Sequence, residues 1–132
     1  MESLEDLSIN QSTSSKNWWA TRRIKYNKGL VIAGILAFIC YVVAGVNLIM
    51  PYDDQFEITL FTIFFQSLAY LIMMAIANVF YNLGYSIDKR FNKNNADCFR
   101  LRLFNCGFWF SFALPFLIPT LIVVEYFVYY KK

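Results

Sequence analysis

Histidine is absent from the 132 residues, and the three cysteines, Cys40, Cys98 and Cys106, stand at no metal-ligand spacing. Structural zinc sites of the usual Cys/His types are thereby excluded. With only 5 glycines there is no Gly-rich phosphate loop, and no acid pair has a histidine or serine beside it in a hydrolytic pattern. Charge is scarce as well: 16% of residues are Asp, Glu, Lys or Arg, against roughly 25% in soluble domains. We therefore expect no enzymatic activity, no cofactor and no bound metal. Nucleic-acid binding is not expected either, because the net charge of +3 has no soluble fold to shape it into a binding surface.

What the chain does have is long apolar runs. Hydrophobic residues make up 58% of it, concentrated at 29–50, 56–87 and 103–130. Helices of that length, apolar on every face, cannot be covered by so small a globule, whereas about 20 such residues cross a bilayer. The fold class that follows is an all-α integral membrane protein with three transmembrane helices and a short N-terminal interfacial segment.

The charges are sorted. Of 12 Lys and Arg residues, five (Lys16, Arg22, Arg23, Lys25, Lys28) precede the first run and five (Lys89, Arg90, Lys93, Arg100, Arg102) separate the second from the third. The connection between the first two runs carries only Asp53, Asp54 and Glu57. Basic segments are retained on the cytoplasmic side, so the N-terminus is expected inside and the C-terminus outside. The bias toward Asn, Lys, Ile, Phe and Tyr, with modest loops, suggests a bacterial cytoplasmic (inner) membrane.

Residues 1–16 are polar without an apolar period and are expected to form a disordered cytoplasmic tail. No cleaved signal peptide is expected, since no A-x-A-type site is evident. Residues 17–28 hold Trp18, Trp19, Arg22 and Arg23, read as interfacial anchors at headgroup depth. A span at 29–50 is ended by Pro51, and 51–55 forms an external loop. A long second span at 56–87, a basic cytoplasmic loop at 88–102, a third span at 103–130 and a tail at 131–132 complete the chain.

In the first span Ala33, Ala37, Cys40, Ala44 and Asn47 recur on one narrow face, and in the second Thr59, Thr62, Gln66, Tyr70, Met73, Ala77 and Gly84 do the same. Small residues let helix backbones approach, so these two stripes are expected to face each other or a third helix, with Phe61, Phe64, Leu68, Leu71, Ile72 and Val79 toward lipid. The cysteines are read as small packing residues.

Two candidate sites follow. Asn47, Gln66 and Glu125 lie at similar depth and are candidates for one polar cluster; the competing reading has Glu125 snorkelling to the interface and the amides bonding between helices. Ser111, Pro115 and Pro119 are a candidate helix break, because each proline removes a backbone donor and leaves a carbonyl to be met by other groups. The same prolines allow an alternative in which the chain turns back near 114–120 and returns Lys131 and Lys132 to the cytoplasmic side; three full crossings are preferred. The functional expectation is a small non-enzymatic subunit embedded in the lipid bilayer, packing as a homo-oligomer or with a membrane-protein partner. The alternative is a holin-like oligomeric pore lined by Gln66, Asn78, Ser111 and the kink carbonyls.

Overall fold

The computed structural model describes residues 4–131, with side chains from residue 14 onward. Among these residues there is no strand, and three helices are long and apolar enough to cross a membrane: Ser14–Ile49, Leu60–Phe91 and Asp97–Tyr130.

Helix α1 runs from Leu4 to Ala44 and is continued by a wider π-type turn at Gly45–Ile49. The expectation of a disordered tail over 1–16 is corrected for residues 4–16, which are the first turns of α1; residues 1–3 lie outside the described chain. No glycine or proline interrupts the sequence from Leu4 to Lys28, so nothing stops the helix from propagating outward once its later turns are packed.

After Pro51, an Asx turn forms as the Gln55 backbone N–H donates to Asp53 Oδ1 at 2.9 Å. The connection is longer than the expected 51–55. Helix α2 begins only at Leu60, where the Thr59 side chain accepts from the Thr62 N–H, and runs to Phe91. Phe56 is not in the second helix; its ring sits against Gly45, where a Cβ would come within 2.6 Å.

Helix α3 spans Asp97–Ala113, so the expected basic loop of 88–102 shrinks to the few residues between Phe91 and Asp97. The polar residues that suggested a loop are helix ends and their caps. At Pro115 the helix tightens into a 3-10 turn, Leu114–Phe116, in which the Leu117 N–H donates to the Leu114 carbonyl. Helix α4, Leu117–Glu125, then continues in the same direction and ends in a second π-type turn, Tyr126–Tyr130. The chain does not turn back. The Tyr52 ring lies 5.9 Å from that of Tyr126 and 5.6 Å from that of Tyr130, which puts the C-terminal turn beside the connection between α1 and α2.

The expected stripes are interior only in part: Cys40 and Asn47 of the α1 stripe are exposed. Ala33 and Ala37 are buried on α1, Ala77 is buried on α2, and the Tyr70 hydroxyl donates to the Leu30 carbonyl at 2.7 Å. Gly34 is required here, because a Cβ would stand 2.4 Å from the Tyr70 ring. The opposite side of α2, including Phe61, Phe64, Leu68, Leu71, Ile72 and Val79, is exposed, as the helical wheel predicts.

The main buried cluster lies toward the basic end, where Trp19, Tyr26, Leu30, Ala77, Tyr81 and Phe104 join all three long helices. From the basic end to mid-length α2 packs on α3 and the 114–116 turn, whereas toward the other end α4 packs on α1 and its π-type turn. The helices are therefore closed at one end and parted at mid-length.

Candidate functional site

The α2 sequence turns polar at Asp88, one residue past its apolar run, and this carboxylate becomes the centre of the basic end. It is 1% exposed and collects donors from every long helix. From α1 come Ser15 Oγ at 2.5 Å and Trp19 Nε1 at 3.0 Å; from the end of α2 comes Asn92 Nδ2 at 2.7 Å; from α3 comes Arg100 Nε at 2.9 Å. Three donors meet Oδ2 and one meets Oδ1, the satisfaction that a buried carboxylate requires.

The short connection between α2 and α3 is shaped around the same pair. Asn92 caps α2 with its N–H on the Asp88 carbonyl, accepts from the Ala96 N–H at 2.9 Å and donates to the Ala96 carbonyl at 3.0 Å. Asn95 takes a left-handed conformation, φ 52°, which asparagine tolerates better than most residues. Its side-chain oxygen accepts from Arg100, whose other guanidinium nitrogen reaches Asp97 at 3.1 Å. Arg100 is itself 2% exposed, so Asp88 and Arg100 form a fully buried ion pair.

Beside this pair stands a layer of aromatic rings. Trp19 and Tyr81 meet edge to face at 5.2 Å, and the Tyr81 hydroxyl donates to the Trp19 carbonyl. The Tyr26 hydroxyl lies 2.7 Å from both the Ala77 carbonyl and Ser111 Oγ. With a single proton it can donate to only one of them; a carbonyl can only accept, so Ser111 donates to Tyr26.

At mid-length the parted helices leave a cleft of about 380 Å³, walled by Gly34 and Ala37 of α1, Gln66 and Tyr70 of α2, and Pro115 and Pro119. Its lining is almost wholly apolar.

Set against these features, the sequence-derived sites divide. Asn47, Gln66 and Glu125 are not joined by any hydrogen bond among the described residues. Asn47 is exposed and its amide donates to the Val43 carbonyl of its own helix, Glu125 is exposed on α4, and Gln66 alone lines the cleft. The reason is rotational: the packing of α1 on α2 turns Asn47 outward. Ser111, Pro115 and Pro119 do gather where α3 meets α4, with Ser111 and the two prolines buried.

The anchor reading of Trp18, Trp19, Arg22 and Arg23 needs correction at Trp19, which is 4% exposed and turned into the bundle. Because α1 continues straight through 17–28, one side of that segment faces α2 and α3 rather than a headgroup layer. Trp18 is half-buried with the Arg22 guanidinium stacked 3.8 Å from its ring, and Arg23 donates to Asn82 Oδ1 at 2.7 Å. All three cysteines are free and exposed, so they do not fill interior space.

The sequence reading missed Ser15, Tyr26, Asp88 and Arg100. One signal was available: Asp88 and Asp97 are the only carboxylates among five cations between the second and third runs, and Asp88 sits where an apolar helix ends. Among the described residues no group of three or more His, Cys, Asp or Glu is placed to hold a metal. No protein family, no curated protein and no solved structure matches this chain.

Proposed function

We propose that this chain is a small non-enzymatic integral membrane subunit of a bacterial inner membrane. In this reading its basic end is cytoplasmic and its C-terminus external, and it associates with copies of itself or with a membrane-protein partner. The observation that carries the reading is the mid-length cleft. An almost wholly apolar groove of this kind suits the side chains of another membrane helix, and the Gln66 amide offers an interhelical hydrogen bond inside it. Such bonds contribute only about 0.6 kcal/mol each, so close packing along the groove supplies most of the association.

The pore reading draws less support. Two of the residues it needs facing water are already engaged: Ser111 is buried against Tyr26, and the Asn78 amide donates to the Met74 carbonyl of its own helix.

The test is crosslinking in native membranes with a single cysteine at position 66, after Cys40, Cys98 and Cys106 are replaced by serine. Adducts well above the 15.5 kDa chain are expected. A monomer under every crosslinker length would remove the subunit reading. Voltage-dependent conductance of the purified chain in liposomes would establish the pore reading in its place.

A further inference from the structure

We propose that the groove between α1 and α2 at the basic end binds the phosphate headgroup of an anionic phospholipid drawn from the surrounding bilayer; this rests on the membrane reading above. The groove, about 260 Å³, is walled on α1 by Lys16 and Arg23 and on α2 by Asn82 and Tyr85, with the Trp19 and Tyr81 rings behind them.

Lys16 and Arg23 are seven residues apart, so they lie on one helix face about 10 Å apart along the axis, a span that two long cationic side chains can close on one phosphate. Arg23 is held in place by its bond to Asn82 and by its position 5.5 Å above the Tyr81 ring. A guanidinium fixed on one edge still presents further N–H donors, in the planar fork that suits phosphate oxygens. Among the described residues no carboxylate lines the groove. The carboxylate of α2 at this level, Asp88, is taken by Arg100, so the charge on Lys16 and Arg23 is left for an external anion.

Depth selects the source of that anion. On α1 the groove lies before Val31, where a run of exposed apolar side chains begins. On α2 its residues, from Tyr81 to Tyr85, lie between exposed apolar Val79 and Phe80 and the basic pair Lys89 and Arg90. That is where apolar surface gives way to charge, the level of lipid phosphates. Basic pockets between membrane helices are a recurring form of headgroup recognition. The aromatic floor gives the start of the acyl chains an apolar surface while the phosphate meets the cations.

The full chain is reconstituted into phosphatidylcholine vesicles containing a minor fraction of phosphatidylglycerol. Lipid retained after mild detergent extraction is then counted by native mass spectrometry. Phosphatidylglycerol is expected to be enriched about 30-fold over its share, the ratio that two cations at about 1 kcal/mol each supply. Lys16→Gln with Arg23→Gln should abolish the enrichment, while Lys25→Gln with Lys28→Gln, an equal loss of charge outside the groove, should preserve it. Equal loss in both pairs would overturn the site in favour of diffuse surface charge. Asn82→Ala frees Arg23 from its anchor and should lower the enrichment in part, whereas Lys16→Arg keeps both charges and the Arg23–Asn82 bond and should preserve it; a loss in Lys16→Arg as large as that of the Gln pair would make the effect structural and overturn the proposal. Inorganic phosphate at millimolar concentration should not displace the lipid, and full displacement would overturn the lipid as the source. A chain that fails to float with vesicles overturns the membrane reading itself, whereas one that floats without lipid preference overturns the headgroup site alone.

Discussion

Asp88 and Arg100 concentrate more consequence than any other residues, because each is buried and each answers the other. Removing one partner of a buried ion pair leaves an uncompensated charge, at a cost of about 3–5 kcal/mol. Asp88→Asn is therefore expected to lower the midpoint of unfolding in detergent sharply, and Arg100→Met to do the same. The double variant Asp88→Leu with Arg100→Met should recover part of the loss, since no lone charge remains. Recovery will be incomplete, because the Ser15 hydroxyl and Trp19 N–H lose their acceptor. Circular dichroism melts of the four proteins check this, and additive single-variant losses would show that the two residues do not act as a pair. At this scale little was legible in sequence. Asp88 reads as one more residue of a charged loop until α1 is seen to bring Ser15 and Trp19 against it, and those donors lie 73 and 69 residues away along the chain.

Among the elements, α2 is the one whose faces are read most directly from the chain. Its period separates Tyr70 and Ala77, which meet α1, from Phe61, Phe64 and Val79, which are exposed, because a helix fixes side-chain direction from spacing alone. The contact it makes with α1 depends on Gly34. Gly34→Ala places a methyl group where the Tyr70 ring now lies and displaces the hydroxyl from the Leu30 carbonyl. A loss of about 1–3 kcal/mol is expected, the usual cost of overpacking, measured as earlier unfolding in a denaturing detergent titration. Gly107→Ala is the control, since a Cβ at Gly107 meets nothing within 4 Å, and it should unfold with the parent. Helix ends were harder to place than faces. The third helix begins at Asp97 and the first at Leu4, both inside segments whose polarity suggested loops, because polar residues continue a helix wherever caps and packing support it.

The whole molecule is a three-helix arrangement with a basic end closed by an ion pair and aromatic rings, and a mid-length that is parted. The orientation proposed above predicts a labelling pattern. With single cysteines at positions 53, 94 and 131 in intact cells, an impermeant thiol reagent is expected to reach 53 and 131 and to spare 94. The ring contacts of Tyr52 with Tyr126 and Tyr130 place positions 53 and 131 at the same end of the bundle. Labelling of 94 with protection of 53 would invert the orientation, and protection of 131 alone would require the C-terminal turn to leave Tyr52.

Length, hydropathy and the sorting of charge were enough to count three long helices and to separate a basic from an acidic end, since both follow from local composition. They also located the helix irregularity at Pro115, because a missing backbone donor acts wherever its neighbours lie. The polar centre was decided only when the helices came together. Rotation of α1 turned Asn47 and Cys40 outward and Trp19 inward, and it joined Ser15 to Asp88 and Tyr26 to Ser111. A helix carries the direction of its side chains in its own spacing, but which direction becomes interior depends on where the other helices stand.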